Sequence, residues 1–127
     1  MPALNRVQLI GNLGKDPEIR STSNGKTLTV FSLAVGQRWK NRNGEMQERT
    51  EWVNIDAWGR LGEVCGEYLR KGSLIYLEGR LKIDRVEDNG DTKYYTKIVA
   101  SSMVMLDKKS GEEPVSTVEE EPAEYIV

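Results

Sequence analysis

The sequence predicts a small, mainly antiparallel β domain that contains one short helix and ends in an acidic tail. Three Asn-Gly dipeptides lie between runs with apolar residues at alternating positions: Asn24-Gly25, Asn43-Gly44 and Asn89-Gly90. This dipeptide favours the left-handed backbone conformations of tight hairpin turns. One segment replaces the alternation with helical spacing. At 127 residues, the chain has the length of a single domain.

Five strands are expected from the alternation. The first runs through Val7, Leu9 and Leu13 and bends at Gly11, where no side chain obstructs. The second covers residues 27–35, and the parity of its apolar residues shifts near its middle, which predicts a β-bulge.

The third strand, residues 50–59, has an unusual outer face. Val53, Ile55 and Ala57 alternate on its inner side. The outer side then carries Trp52, Asn54, Asp56 and Trp58. Because an exposed indole costs hydration free energy, this face predicts a platform for a flat ligand such as a nucleobase. Burial of both tryptophans at a subunit interface is the alternative.

A helix should follow, because apolar residues recur there every three or four positions. They are Leu61, Val64, Cys65, Tyr68 and Leu69. Gly72 marks its end. Gly62 and Gly66 would each cost the helix up to ~1 kcal/mol, so its apolar stripe must be buried and Cys65 is expected in the core.

Two further strands complete the pattern. The fourth places Ile75, Leu77, Leu81 and Ile83 inward with a bend at Gly79, and the fifth starts near residue 92. Five strands with a helix between the third and the fourth form the order of the OB-fold. This fold is a Greek-key barrel whose open face and loops bind oligonucleotides or oligosaccharides.

Composition excludes several classes of function. The chain has no histidine and one cysteine, which argues against zinc sites and against Ser-His-Asp or Cys-His catalysis. We therefore expect a non-enzyme without metal or cofactor. No apolar run has the ~18 residues of a membrane span, and no secretory signal is visible, so a cytoplasmic protein without a membrane partner is expected.

Charge is divided unevenly along the chain. Residues 107–127 hold two lysines against seven acidic residues, a net charge of −5, whereas residues 1–106 have a net charge of +3. The tail has few large apolar residues, which predicts a disordered acidic segment after the folded domain. A tail that only increases solubility is the alternative to one that docks partners.

Several motifs resemble the bacterial single-stranded DNA-binding protein family. They lie within residues 4–106 and include Asn5-Arg6-Val7, Gly11-Asn12-Leu13-Gly14-Lys15-Asp16-Pro17-Glu18, Thr50-Glu51-Trp52, and Glu67-Tyr68-Leu69-Arg70-Lys71-Gly72-Ser73. The resemblance implies OB-folds that assemble as homotetramers and bind single-stranded DNA without reading its sequence. It also implies a nucleoid-associated protein of the bacterial cytoplasm that acts in DNA replication, recombination and repair.

The resemblance also implies site residues. Base stacking falls on Trp39, Trp52 and Trp58, and a fourth stacking position is occupied by Val86, which has no π-face. Phosphate contacts fall on Arg42, Arg60, Lys71 and Arg85, with Arg38 and Lys40 beside Trp39 as further candidates.

The tail is the part that departs most from the family. The family usually ends in aspartates, proline and a terminal phenylalanine. The corresponding residues here are Glu119, Glu120, Glu121, Pro122, Glu124, Tyr125, Ile126 and Val127. They are the candidates for docking replication and repair enzymes. Two other functions stay open, an oligosaccharide-binding OB domain and an assembly module, and the sequence does not decide between tetramer and dimer.

Overall fold

The computed structural model describes residues 1–107 and 118–119 as strands, one helix and their connections. The strands are β1 Val7–Leu13, β2 Glu18–Ser21, β3 Thr27–Lys40, β4 Met46–Trp58, β5 Leu74–Asp88, β6 Asp91–Met105 and β7 Val118–Glu119; the helix is α1 Gly59–Tyr68. The five long strands are the five predicted ones. The helix lies between the third and the fourth of them, so the predicted order is confirmed.

The sheet closes into a barrel. β1 pairs with β5 on one side and, through Asn12 and Leu13, with β3 on the other. β3 pairs with β4, and β5 pairs with β6, both antiparallel. A short parallel contact, Ile55 opposite Ile98 and Asp56 opposite Val99, joins β4 to β6 and completes the ring. The hairpins β3–β4 and β5–β6 extend past this contact as two-stranded ribbons.

The three Asn-Gly dipeptides form the expected turns. Gly25, Gly44 and Gly90 have φ angles of 77°, 79° and 84°, in the left-handed region that glycine tolerates. Asn89 also has a positive φ, 51°, so the turn between β5 and β6 has two left-handed residues, as a type I′ hairpin requires.

The predicted bulge in the second long strand is wrong. β3 and β4 stay in continuous register from Leu28 opposite Trp58 to Lys40 opposite Met46. The inward position that appeared to break the apolar pattern belongs to Thr29, which is fully buried. Its hydroxyl donates a hydrogen bond of 2.6 Å to the carbonyl oxygen of Gly62. A polar residue is therefore part of the core because the helix offers it an acceptor.

The helix packs against one end of the barrel. Leu61, Val64, Cys65 and Leu69 are buried as predicted, whereas Tyr68 is half exposed and does not belong to the stripe. A side chain at Gly62 would place its Cβ 3.1 Å from the carbonyl carbon of Ala57. The glycine that weakens the isolated helix is therefore what allows it to approach β4 closely.

The predicted inner face of β5 is correct only within the barrel. Ile75 and Leu77 are fully buried, and the pairing with β6 shifts register between Glu78 and Gly79, at the predicted bend. Leu81 and Ile83 are exposed, because the strand has left the barrel by that point.

The acidic tail is described only at its start and at one short strand. The Asp107 carboxylate accepts a 2.6 Å hydrogen bond from the backbone N–H of Leu74, and β7 pairs with Ser102 and Met103 of β6. Residues 108–117 and 120–127, which include the predicted docking tip Tyr125-Ile126-Val127, lie outside the described residues.

Candidate nucleic-acid interface

The outer face of β4 presents one large aromatic ring to solvent. Trp52 is 62% exposed, in the middle of a strand whose inner residues Ile55 and Ala57 are buried. Asn54 is exposed beside it, and Trp58 is half buried at the end of the strand. A rigid exposed indole on a sheet is the geometry that base stacking uses.

The Trp52 ring lies over the backbone of the loop after β1. A Cβ added to Gly14 would lie 3.1 Å from Cη2 of Trp52 and closer still to Cζ3. Since carbon atoms pack best about 3.5–4.0 Å apart, the ring sits where only a glycine leaves room for it. Gly14 therefore sets how closely the Trp52 ring can approach the backbone of this loop.

Asp56 does not share the exposure predicted for this face. It is 7% exposed, and its Oδ2 lies 2.8 Å from Nζ of Lys97 on β6. The same ammonium group lies 3.1 Å from Oδ2 of Asp84 on β5. These carboxylates raise the pKa of Lys97, with the hydrogen bond to Asp56 as the main cause, and the hydrogen bond from Lys97 lowers the pKa of Asp84. The network ties β4, β5 and β6 together on the outer surface.

Trp39 lies on a different face from Trp52. It is 43% exposed and stands opposite Gln47, near the end of the β3–β4 ribbon. Trp52 stands opposite Ala34, so the two side chains share a face of the ribbon. Ala34 and Trp39 are both on β3 and are five residues apart, an odd number, and side chains alternate between the two faces along a strand. The two indoles therefore occupy opposite faces of the ribbon, and the structure does not bring the three tryptophans onto one surface.

The predicted phosphate-binding cations are spread over three regions. Arg38, Lys40 and Arg42 are near the end of the β3–β4 ribbon, Arg60 is in the first turn of the helix with Lys71 just after the helix, and Arg85 is on the β5–β6 ribbon. Three of them form exposed ion pairs: Arg38 with Glu48 at 3.0 Å, Arg60 with Glu63 at 3.9 Å, and Arg85 with Glu87 at 2.9 Å. Exposed pairs contribute at most about 1 kcal/mol, so a phosphate can replace the carboxylate.

Comparison with known proteins identifies the family. Residues 4–106 match the model of the "Single-strand binding protein family", which covers most of the chain. The chain belongs to the single-strand binding protein family. This family consists of DNA-binding proteins rather than enzymes, which confirms the prediction of a non-enzyme.

Relatives in the family support this assignment. The chain is 48% identical over 110 residues to single-stranded DNA-binding protein 1 of Chlorobaculum tepidum, covering 85% of this chain and 68% of that one. It is 47% identical over 108 residues to the single-stranded DNA-binding protein of Xylella fastidiosa, covering 84% and 66%. With that of Xanthomonas axonopodis pv. citri, identity is 49% over 104 residues, covering 81% and 58%. The chain thus spans between 58% and 68% of the length of these relatives.

A solved structure shares the fold. A Plasmodium falciparum SSB in complex with ssDNA superimposes with a TM-score of 0.79 at 30% identity, covering 84% of this chain and 98% of that one. The barrel of this family member is therefore the SSB barrel. Within the residues that the structure describes, no helix is long and apolar enough to cross a membrane.

The sequence reasoning missed two cations beside the Trp52 platform. Lys15 and Arg20 line a groove with Ser32 and Asn54, on the side of β4 where Trp52 lies over Gly14. Arg20 is held by Glu18 through bonds of 3.0 and 3.2 Å. Lys15 lies within one of the motifs that carry the family resemblance, which was the available signal, but it was not singled out as a phosphate contact.

Proposed function

We propose that the protein binds single-stranded DNA without regard to base sequence by stacking bases on Trp39, Trp52 and Trp58. The observation that carries the proposal is the 62% exposure of Trp52 on the outer face of a closed barrel. Every base offers a π-face, so stacking gives affinity without sequence preference. The single-stranded DNA named for the related proteins and for the matched complex supports the same ligand.

Phosphate contacts are assigned to Arg38, Lys40, Arg42, Arg60, Lys71 and Arg85. These cations lie in three regions, each near the end of a different hairpin or helix. This arrangement suits a single strand of DNA that passes over the barrel and both ribbons. Such contacts position the backbone and carry no base information. Lys15 extends this set next to Trp52.

Assembly into a homotetramer is part of the proposal. Within the described residues, β1 pairs with β3 only at Asn12 and Leu13, so the segment from Val7 to Gly11 has one free edge. Ile10 on this strand is 56% exposed. A free edge with an exposed apolar residue favours pairing with a second copy of the chain.

The acidic tail would recruit replication and repair enzymes. Tyr125, Ile126 and Val127 would enter an apolar pocket of the partner, and Glu119, Glu120, Glu121 and Glu124 would meet basic residues around it, with Pro122 between them. A pull-down comparing the full chain with a chain that ends at Glu124 tests this role. Equal recovery of repair and replication enzymes by both would contradict it. A location in the cytoplasm at the nucleoid stays a prediction.

Binding of a labelled thymidine oligomer, followed by fluorescence anisotropy at several salt concentrations, tests the main proposal. Trp52→Ala should weaken binding by about 1–3 kcal/mol, the usual contribution of one stacking platform. Tyr68→Ala is the matched control, because Tyr68 is a half-exposed aromatic on the helix. Log affinity should fall with log salt by about 0.7 per neutralised phosphate. Binding that ignores salt, or a Trp52→Ala variant that binds like Tyr68→Ala, would overturn the proposal and favour an oligosaccharide or assembly role.

A further inference from the structure

The β5–β6 ribbon carries two adjacent tyrosines on opposite faces. Tyr94 stands opposite Arg85 and is 66% exposed, and Tyr95 stands opposite Asp84 and is 54% exposed. Ile98, which shares the parity of Tyr94, is buried in the core. Lys97, which shares the parity of Tyr95, reaches Asp56 on the outer face of β4 at 2.8 Å. Tyr95 is therefore on the same outer surface as Trp52.

The register between β4 and β6 places Tyr95 at the level of Trp52. The two strands run parallel where Ile55 meets Ile98. Trp52 lies three residues before Ile55, and Tyr95 lies three residues before Ile98. Each strand rises about 3.3 Å per residue, so both rings stand about 10 Å from the same contact, on the side where the two strands separate.

Tyr95 also neighbours the position where a stacking ring is missing. Val86 stands opposite Lys93, two pairs further along the ribbon from the Asp84–Tyr95 pair. Val86 and Tyr95 thus share a face as diagonal neighbours, about 7–8 Å apart, which is within the reach of an aromatic side chain. Val86 is 43% exposed but offers no π-face.

We propose that Tyr95 is a further base-stacking residue, which supplies on β6 the platform that Val86 cannot supply on β5. The ligand is one base of a single-stranded DNA whose neighbouring bases lie toward Trp52, so this inference rests on the proposed function. Lys93, on the same face, provides a cation for the adjoining phosphate. Lys97, held between Asp56 and Asp84, fixes the strand that carries the ring.

Four variants test the assignment with a labelled thymidine oligomer in anisotropy titrations. Tyr95→Leu should raise Kd roughly five- to tenfold, the lower part of the range expected for one stacked base. Tyr95→Phe should bind like wild type, and Tyr95→Trp at least as tightly, because the ring and not the hydroxyl is used. Tyr94→Leu is the matched control and should leave Kd unchanged. The salt dependence should be the same in all four, since no phosphate contact is removed.

The outcomes separate this inference from the proposed function. Loss of affinity in Trp52→Ala without any loss in Tyr95→Leu would overturn the role of Tyr95 alone. Wild-type protein that does not bind the oligomer would overturn the proposed function. Light scattering on each variant measures the assembly. If Tyr95→Leu changes the mass of the assembly while Tyr95→Phe leaves that mass unchanged, the ring belongs to a subunit contact and the inference is wrong.

Discussion

A methyl group at position 14 should weaken DNA binding without unfolding the protein. In Gly14→Ala, the new Cβ would lie 3.1 Å from Cη2 of Trp52 and closer to Cζ3. Carbon atoms need about 3.5–4.0 Å and the closer atom, Cζ3, sets the shift, so the indole must retreat by about one ångström or more. The clash is with the exposed end of a side chain that can rotate, so the loop backbone need not move.

The size of the effect follows from what the ring can do. Full removal of a stacking ring costs about 1–3 kcal/mol of affinity, which sets the upper limit. A displaced ring still stacks in part, so Gly14→Ala should cost about 1 kcal/mol, a factor of about five in Kd. An off-rotamer indole costs about 0.5–1.5 kcal/mol, which bounds the loss of folding stability.

A double-mutant cycle in the anisotropy assay checks this reasoning. Gly14→Ala should add nothing to the effect of Trp52→Ala, because both act through one ring. Gly36→Ala is the control: Gly36 has nothing within 4 Å of its virtual Cβ and should tolerate the change. Additive losses in the double mutant, or an equal loss in Gly36→Ala, would show that Gly14 does not act through Trp52.

Three further predictions concern stability and reactivity. Thr29→Val leaves the carbonyl of Gly62 without its 2.6 Å bond, so urea denaturation should show a loss of about 1–3 kcal/mol; an unchanged midpoint would contradict the role of the hydroxyl. Burial raises the pKa of Cys65 to about 12, so iodoacetamide at pH 8 should modify it only in denaturant, and equal rates in native protein would show that the core opens. The lowered pKa of Asp84 means that its contribution to stability is present above its unfolded-state pKa and is lost as pH falls through the lower folded value. The melting temperature of Asp84→Asn should thus fall less than that of wild type as the pH is lowered below about pH 4. Melting temperatures that fall equally with pH in both proteins would count against the Lys97 contact.

Local signals made much of the fold predictable. Each Asn-Gly turn and the apolar helix stripe depend on a few neighbouring residues, so the hairpins and the helix could be placed from the sequence. Thr29 could not be interpreted in the same way. Its acceptor, the carbonyl of Gly62, is 33 residues away and becomes visible only when the helix is packed on the barrel.

The candidate site shows the same division. Trp52 was correctly expected on the outer face, because alternation alone determines its side of β4. Asp56 was expected there too, but it is covered by Lys97, which comes from a strand that the sequence pattern does not connect to β4. Tyr95 could not be placed on this surface from the sequence, because the parallel contact that brings β6 beside β4 leaves no mark in the sequence.

The placement of Trp39 and Trp52 on opposite faces of the β3–β4 ribbon constrains the path of any bound polymer. A nucleotide chain that touches both rings must bend around the edge of the ribbon between them. Tension applied to the ends of the polymer straightens that bend. The pulling force then acts on the stacking contact at one ring before it acts on the contact at the other. If DNA stacks on both rings as proposed, mechanical release should then occur in steps instead of all at once.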